Sequence, residues 1–380
     1  MTTCEQRRPA LPKVFHVIGE IGHGGAELLV ADLAIWLDGR GYETHVVVLG
    51  YAHDEVLARV GRSGVAMHRL SYSGGLARKL FALKRLLEQH KPGVVHAHLF
   101  PALYMVAALR WLAGIRSVLV YTEHSTFNRR RGRRWLRWLE RAVYRSYHQV
   151  ICVSEAVRCA LMDWVGTRQQ SQVIENGIDT SRFSTAGGWQ VGMINRKPGD
   201  IVVGAVGALR PEKNYPRLVE ALRHLPPNFR LVVAGGGAEL ETIQAACAAH
   251  GVADRVQMLG IVGDVPGLLK SIDVYALVSL AEGFGLSALE ALASGRPVVY
   301  AAVPGLSDVV GGCGFPVDPT DPSSIAKGIL AAAVPGADVV DRIARGRIVA
   351  ERYVFERMAR RYEEVYLSAC SLLAGPAGRE

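Results

Sequence analysis

Several short stretches bring together residue types that suit the handling of an anionic, hydroxyl-rich ligand. Gly22-His23-Gly24-Gly25-Ala26-Glu27 lies where an apolar strand gives way to a helix. Small residues there let backbone N–H groups approach an anion at the positive helix end, and a plain tight turn is the other reading. Gly235-Gly236-Gly237 also follows a strand and reads equally well as a turn. Arg210-Pro211-Glu212-Lys213-Asn214 offers two cations three residues apart, the arginine as a planar fork and the lysine as a point charge for a diphosphate. Glu282-Gly283-Phe284-Gly285-Leu286-Ser287-Ala288-Leu289-Glu290 sets one carboxylate in a glycine loop and a second just inside the next helix. Both could accept hydrogen bonds from sugar hydroxyls. Ser287-x-x-Glu290 also fits a capping box, which would make Glu290 structural.

These loops need a scaffold that delivers them to one place. Runs rich in Val and Ile alternate with helical-period stretches, the pattern of parallel strands joined by crossover helices. A first α/β series has strands at Val14 to Ile18, Val46 to Leu49, Val94 to Ala97, Val118 to Tyr121 and Val150 to Val153. A second has strands at Val202 to Ala208, Arg230 to Ala234, Val256 to Leu259, Val274 to Leu277 and Val298 to Ala301. Asn176-Gly177 reads as a turn, and the polar stretch Ser184 to Asp200 as the joint. A last helical stretch, about Ala344 to Leu373, carries enough apolar surface to pack across both halves. The domains expected are 1–185, 186–350 and a closing helix over 351–380. Open α/β sheets bind ligands beyond the carboxyl ends of their strands, where all the loops above fall.

Composition narrows the class. With 380 residues, 49% hydrophobic and 21% charged, the chain is too long for one usual core and too apolar for disorder. Six cysteines without a Cys-x-x-Cys pair favour reduced thiols and a cytoplasmic setting. The first thirteen residues lack the apolar core of a signal peptide, and Pro101 to Tyr121 is interrupted by Arg110 and Arg116, so no membrane span is expected. The net charge of +9 is concentrated: eight arginines between Asn128 and Arg145 face Glu140 alone. A helix over Arg133 to Arg145 would put Arg134, Arg137, Arg141 and Arg145 on a basic face beside apolar Trp135, Trp138, Leu139 and Ala142. That is either a core helix with a solvated basic face or a peripheral contact with the inner face of the membrane through Arg129 to Arg145. No zinc-finger or RNA-binding signature accompanies it, so nucleic acid is not expected. His96, His98 and His124 lack a metal-ligand spacing such as His-Glu-x-x-His, and no metal is expected.

Taken in order, these residues resemble the retaining glycosyltransferases of family 4. The likeness rests on Gly24-Gly25-Ala26-Glu27, Val94-Val95-His96-Ala97-His98, Thr122-Glu123-His124, Val153-Ser154-Glu155, Asn176-Gly177-Ile178-Asp179, Arg210-x-x-Lys213-Asn214 and Glu282 through Ala291. The resemblance implies a GT-B fold, two Rossmann-like domains facing each other across a cleft with the C-terminal helix crossing back. It implies that Arg210 and Lys213 bind the donor diphosphate, Glu290 the ribose and Glu282 hydroxyls of the transferred sugar. Gly283, Phe284, Gly285 and Leu286 would meet sugar and phosphates through their backbone, Gly24 and Gly25 would close over the phosphates, and His124 would stand near the sugar. The donor would be a UDP-sugar or a GDP-sugar carrying a hexose or N-acetylhexosamine, the acceptor a hydroxyl of a glycan, a lipid-linked acceptor or a small natural product, with no cofactor. A nucleotide-sugar epimerase and a membrane- or polyanion-binding module with a degenerate nucleotide site stay open as alternatives. A dehydrogenase fits less well, because Glu27 stands where the dinucleotide fingerprint needs its third glycine.

Overall fold

The computed structural model describes residues 11–22, 24–70, 75–133, 135–166, 171–189 and 192–373. His23, residues 71–74, Arg134, part of the joint and the last seven residues lie outside them. The strands of the first half are β1 (Val14–Ile18), β2 (Thr44–Val48), β3 (Ala66–Arg69), β4 (Val94–His98), β5 (Val118–Glu123), β6 (Gln149–Cys152) and β7 (Ser171–Val173). Its helices are α1 (Gly25–Asp38), α2 (Asp54–Gly61), α3 (Leu76–His90), α4 (Ala102–Ala113), α5 (Leu136–Arg145), α6 (Glu155–Val165) and α7 (Thr180–Ser184). The second half holds β8 (Ile201–Val206), β9 (Phe229–Ala234), β10 (Val256–Gly260), β11 (Val274–Leu277), β12 (Val298–Ala301) and β13 (Phe315–Val317). Between and after them run α8 (Tyr215–Ala221), α9 (Leu240–Ala249), α10 (Val265–Ser271), α11 (Leu286–Ala293), α12 (Leu306–Val310), α13 (Pro322–Ala333), α14 (Ala337–Ala350) and α15 (Phe355–Leu373).

Among the described residues the strands form two parallel sheets, ordered β3-β2-β1-β4-β5-β6-β7 and β10-β9-β8-β11-β12-β13. Their near-continuous Val, Ile and Ala runs are buried on both faces, as crossover helices require. Strand order reverses between β1 and β4 and between β8 and β11, so each sheet opens a crevice there. The two crevices face each other.

The C-terminal stretch is two helices rather than one. The chain breaks at Glu351–Val354, where the amide of Ile178 donates to Tyr353 O and that of Phe355 to Ile178 O, both at 2.9 Å. This bridge carries the chain back, and Asn176-Gly177 forms its seat: a Cβ on Gly177 would lie 2.7 Å from Val354 O. Helix α15 then covers the first sheet, burying Met358, Tyr362 and Tyr366. Glu363 joins Arg40 and Tyr42 at 3.0 Å each.

The basic segment differs from its expected arrangement. Helix α5 buries Glu140, Val143 and Tyr144, while Trp135 and Trp138 are exposed. Arg137 donates to the carbonyls of Asp163 and Trp164, and Arg141 to that of Val165. Both therefore close the C-terminal end of α6, where cations complement the helix dipole. Arg130 pairs at 2.8 Å with Glu140, whose carboxylate also accepts from Tyr104 and Trp164. A buried carboxylate survives because those partners satisfy it. No single helix among the described residues is long and apolar enough to cross a membrane. Their five cysteines are unpaired.

Candidate active site

Seven segments meet where the two crevices oppose. A cleft of about 300 Å³ is lined by Gly24 to Leu28, His124, Asn176, Arg210, Lys213 and the run from Ala281 to Ser287 with Glu290. It shares Gly24, Glu27, Val206, Gly207, Ala208, Arg210 and Val265 with an adjoining cleft of about 420 Å³ that extends to Gly235, Gly236, Gly237, Ile261 and Val262. Every residue proposed from sequence for the site, Arg210, Lys213, His124, Glu282, Gly24, Gly25, Gly283, Phe284, Gly285, Leu286 and Glu290, lines the first cleft.

The two cations leave β8 through a short 3-10 turn at Pro211–Lys213, opened by Arg210 in extended backbone and closed by Asn214 at φ 59°. Asn214 tolerates that conformation because its side chain donates to Val278 O and Pro319 O at 3.1 and 2.7 Å, which fixes the turn against β11. Lys213 Nζ stands 2.8 Å from Glu282 Oε2, both side chains largely buried. The ion pair holds a cation and an acceptor at fixed separation on the cleft wall.

Helix α11 starts at Leu286 with Gly285 as its N-cap, φ 88°. Ser287 is thus inside the helix, no side chain caps it, and the capping box is absent. Glu290 faces the cleft one turn further in. Burial pushes its pKa up to about 7, opposed by the Arg182 guanidinium of α7, so near neutrality it is poised between acid and carboxylate.

The N-terminal glycine loop is partly self-satisfied. Glu27 accepts from the amides of Gly22 and Gly24 at 2.6 and 3.4 Å, completing a backbone cap on α1. That leaves the amides of Gly25 and Ala26, the first two of α1, without a partner among the described residues.

The acidic loop is clamped to the first domain. Ser154 Oγ donates to Gly283 O at 2.6 Å, and Thr126 Oγ1 to Glu282 O at 3.2 Å. A Cβ on Gly283 would lie 2.0 Å from His124 O, so only glycine permits this approach. Gly235 plays the same part inside the second domain: its Cβ would lie 1.9 Å from Gly207 O, at φ +155°. The glycine triplet is therefore a close-packed wall of the second cleft rather than a free turn. Sequence reasoning did not single out Thr126 or the apolar wall of Ile261, Val262 and Val265, because single hydroxyls and ordinary aliphatics carry no motif.

His124 follows β5 directly. Its ring nitrogens are buried with no hydrogen-bond partner among the described residues, and burial lowers its pKa to about 4, so the imidazole is neutral. Behind it, His16 Nδ1 and His98 Nε2 are 3.1 Å apart, and His96 is held at both nitrogens by Tyr366 OH (2.6 Å) and Thr122 Oγ1 (2.7 Å). The donor atoms of His16, His96 and His98 lie within 4.8 Å of one another. His96 would have to surrender a hydroxyl partner to bind a metal, whereas His16 Nε2 and His98 Nδ1 are buried without a hydrogen-bond partner among the described residues.

Known proteins match this chain over most of its length. Residues 23–182 match the family described as Glycosyltransferase Family 4, and residues 193–333 that described as Glycosyl transferases group 1. An uncharacterized glycosyltransferase of Methanocaldococcus jannaschii is 29% identical over 333 residues, 80% of this chain and 84% of that protein. The UDP-Gal:alpha-D-GlcNAc-diphosphoundecaprenol alpha-1,3-galactosyltransferase of Escherichia coli is 27% identical over 242 residues, 60% of this chain and 62% of that enzyme. Among solved structures, HepE of Anabaena in complex with UDP-glucose superposes with a TM-score of 0.83 at 24% identity, covering 94% of this chain and 100% of HepE. Two facing parallel sheets, a returning C-terminal helix and family matches that together span most of the sequence lead to one conclusion: the chain belongs to the group 1, family 4 glycosyltransferases and has the GT-B fold.

Proposed function

We propose that this protein moves a hexose or N-acetylhexosamine from a nucleotide diphosphate sugar, a UDP-sugar, to a hydroxyl acceptor, with retention at the anomeric carbon and without a metal ion. The observation that carries the reading is the convergence of Arg210, the Lys213–Glu282 pair and Glu290 on one cleft wall. The names of the galactosyltransferase and of the HepE complex support a UDP donor.

In this reading Arg210 and Lys213 grip the diphosphate. As the bond between the anomeric carbon and the diphosphate oxygen breaks, they neutralise the charge that grows on the leaving nucleoside diphosphate. Lys213, held by Glu282, together with Arg210 and the amide ends of α11 and α1 supplies that stabilisation, which is why a metal is not required. Glu282 accepts from hydroxyls of the sugar, held in place by Lys213. Glu290 accepts from the ribose, and the flat apolar wall of Ile261, Val262 and Val265 suits the base. The backbone from Gly283 to Leu286 meets sugar and phosphate, Gly24 and Gly25 close over the phosphates, and neutral His124 offers its ring beside the sugar. The acceptor hydroxyl forms the new bond on the face the diphosphate leaves, and a phosphate oxygen takes its proton. Closure of the domains excludes water that would hydrolyse the donor. The enzyme works in the cytoplasm, with the first domain turned to the acceptor and to the inner face of the membrane.

The test is a panel of UDP- and GDP-sugars incubated with purified enzyme and a hydroxyl acceptor, followed by mass spectrometry. The expected result is a glycosylated acceptor plus UDP, an α-linked product from an α-linked donor, and activity that persists in EDTA. A donor epimerised without acceptor, or no donor consumed, overturns the reading.

A further inference from the structure

The exposed surface of α5 is built unlike that of any core helix. Trp135 and Trp138 are 67% and 73% exposed, and Leu139 beside them is 42% exposed. At helical spacing Trp135, Trp138, Ala142 and Arg145 form one stripe. Ala142 and Arg145 then share a shallow groove with Trp111 at the end of α4, and Leu112 next to it is 78% exposed. The apolar stripe is thus continuous across two helices.

Its charge has one sign. From Gln89 to Ser154 the only carboxylates are Glu123 and Glu140, and both are buried. Arg130, Arg137 and Arg141 are committed to Glu140 and to the carbonyls that end α6. Arg116, Arg133 and Arg145 are exposed and form no ion pair among the described residues. The stripe is therefore tryptophan and leucine rimmed by unpaired cations.

We propose that this face of α4 and α5 docks on an anionic bilayer, with Trp135, Trp138 and Trp111 inserted at the headgroup level and Arg133 and Arg145 over the lipid phosphates. Indole rings suit that depth, having an apolar body and one N–H donor. A basic rim around an apolar stripe is complementary to an anionic interface. A second copy of this chain would instead bring cation against cation. The docked face also has a place in the reaction. The loop leaving His124 touches the acidic loop at Thr126 and leads through a 3-10 turn at Arg129–Gly132 into α5, so the bilayer would lie beside the acceptor side of the cleft; in this respect the inference rests on the transfer reading.

The experiment sediments the full chain with vesicles of phosphatidylcholine alone and with about 30% phosphatidylglycerol. UDP binding is measured on the same preparations. Wild type is expected to sediment with both and more strongly with the anionic vesicles. Trp135→Ser with Trp138→Ser should lower partition about a hundredfold on both compositions, with an unchanged melting temperature because both side chains are exposed. Arg133→Gln with Arg145→Gln should lower it about tenfold on the anionic vesicles alone. Wild type left in the supernatant, a tryptophan variant that sediments as wild type does, or a dimer by light scattering that the tryptophan variant turns into monomer each overturn the proposal. UDP binding should be the same in all variants. Its absence from wild type would overturn the transfer reading and leave the vesicle result standing.

Discussion

Replacing Glu290 by glutamine separates a functional carboxylate from a structural one, because the two roles predict opposite signs. In the folded chain burial holds the carboxyl at about 7 against an ordinary 4.5. The ionised form is therefore disfavoured by folding. Its cost is absent below about pH 4.5, grows as the pH climbs toward 7 and is constant above that. The gap corresponds to about 3 kcal/mol as an upper limit, and solvent reaching the cleft wall brings the expectation to about 1 to 3 kcal/mol. Glu290→Gln has no charge to bury. It should match wild type in thermal melts near pH 5 and melt higher near pH 8. Calorimetry with UDP should run the other way. Loss of hydrogen bonds from ribose hydroxyls to a charged acceptor should weaken binding about tenfold to a hundredfold near pH 8. Wild-type affinity should rise more steeply with pH through about 7 than that of the variant, which keeps only the slope from ionisation of the terminal phosphate of UDP at about pH 6. A variant that melts lower near pH 8 and binds UDP as wild type does would refute the assignment.

Three further substitutions test the cleft and the packing behind it. Lys213→Ala removes a cation from the diphosphate grip and leaves Glu282 without its partner at 2.8 Å; kcat/KM for transfer should fall about a thousandfold while circular dichroism is unchanged, and near-wild-type turnover would remove the assignment. Gly283→Ala places a methyl 2.0 Å from His124 O, so the acidic loop must lift from the first domain; transfer should fall at least about a hundredfold, and unaltered kinetics would show that the clamp is dispensable. Tyr366→Phe takes the hydroxyl from His96 Nδ1 and should cost about 1 to 3 kcal/mol of stability by leaving a buried ring nitrogen unpaired. A melting scan should fall by several degrees with UDP affinity intact, and a loss of affinity without a change in melting would contradict a purely structural role.

What the sequence made legible follows from which interactions are local. The ten strands expected from it are all present, because parallel strands buried on both faces read as continuous apolar runs. The three it did not indicate, β3, β7 and β13, are short edge strands reading Ala-Met-His-Arg, Ser-Gln-Val and Phe-Pro-Val. Edge strands carry polar residues or proline and so lack that signal. Helix α5 shows a subtler failure. Periodicity sets Arg137 and Arg141 apart from Trp135 and Trp138, but Arg145 joins the tryptophan stripe, and periodicity does not say which face meets protein. Arg137 and Arg141 are drawn inward by the unsatisfied carbonyls ending α6, a demand that arises only when α6 packs alongside.

The site itself was legible as a set of residues but not as a mechanism of closure. Arg210 and Lys213 were legible as a cation pair after a strand and Glu282 and Glu290 as carboxylates about a glycine loop, but their roles came only from the resemblance of these motifs, taken in order, to the family. The contacts that bring them against the first domain are backbone carbonyls met by Ser154, Thr126 and a missing Cβ at Gly283, and Ser154 lies 129 residues from its partner. None of these has a spacing to recognise. Yet they determine whether His124 and Glu282 face the same space: without the Ser154–Gly283 bond, the acidic loop would be positioned only by its own domain. Closure in this chain is thus specified chiefly by small residues that allow main chain to approach main chain. Substitutions that add volume there should therefore impair transfer more than stability, whereas Tyr366→Phe behind the cleft should do the reverse.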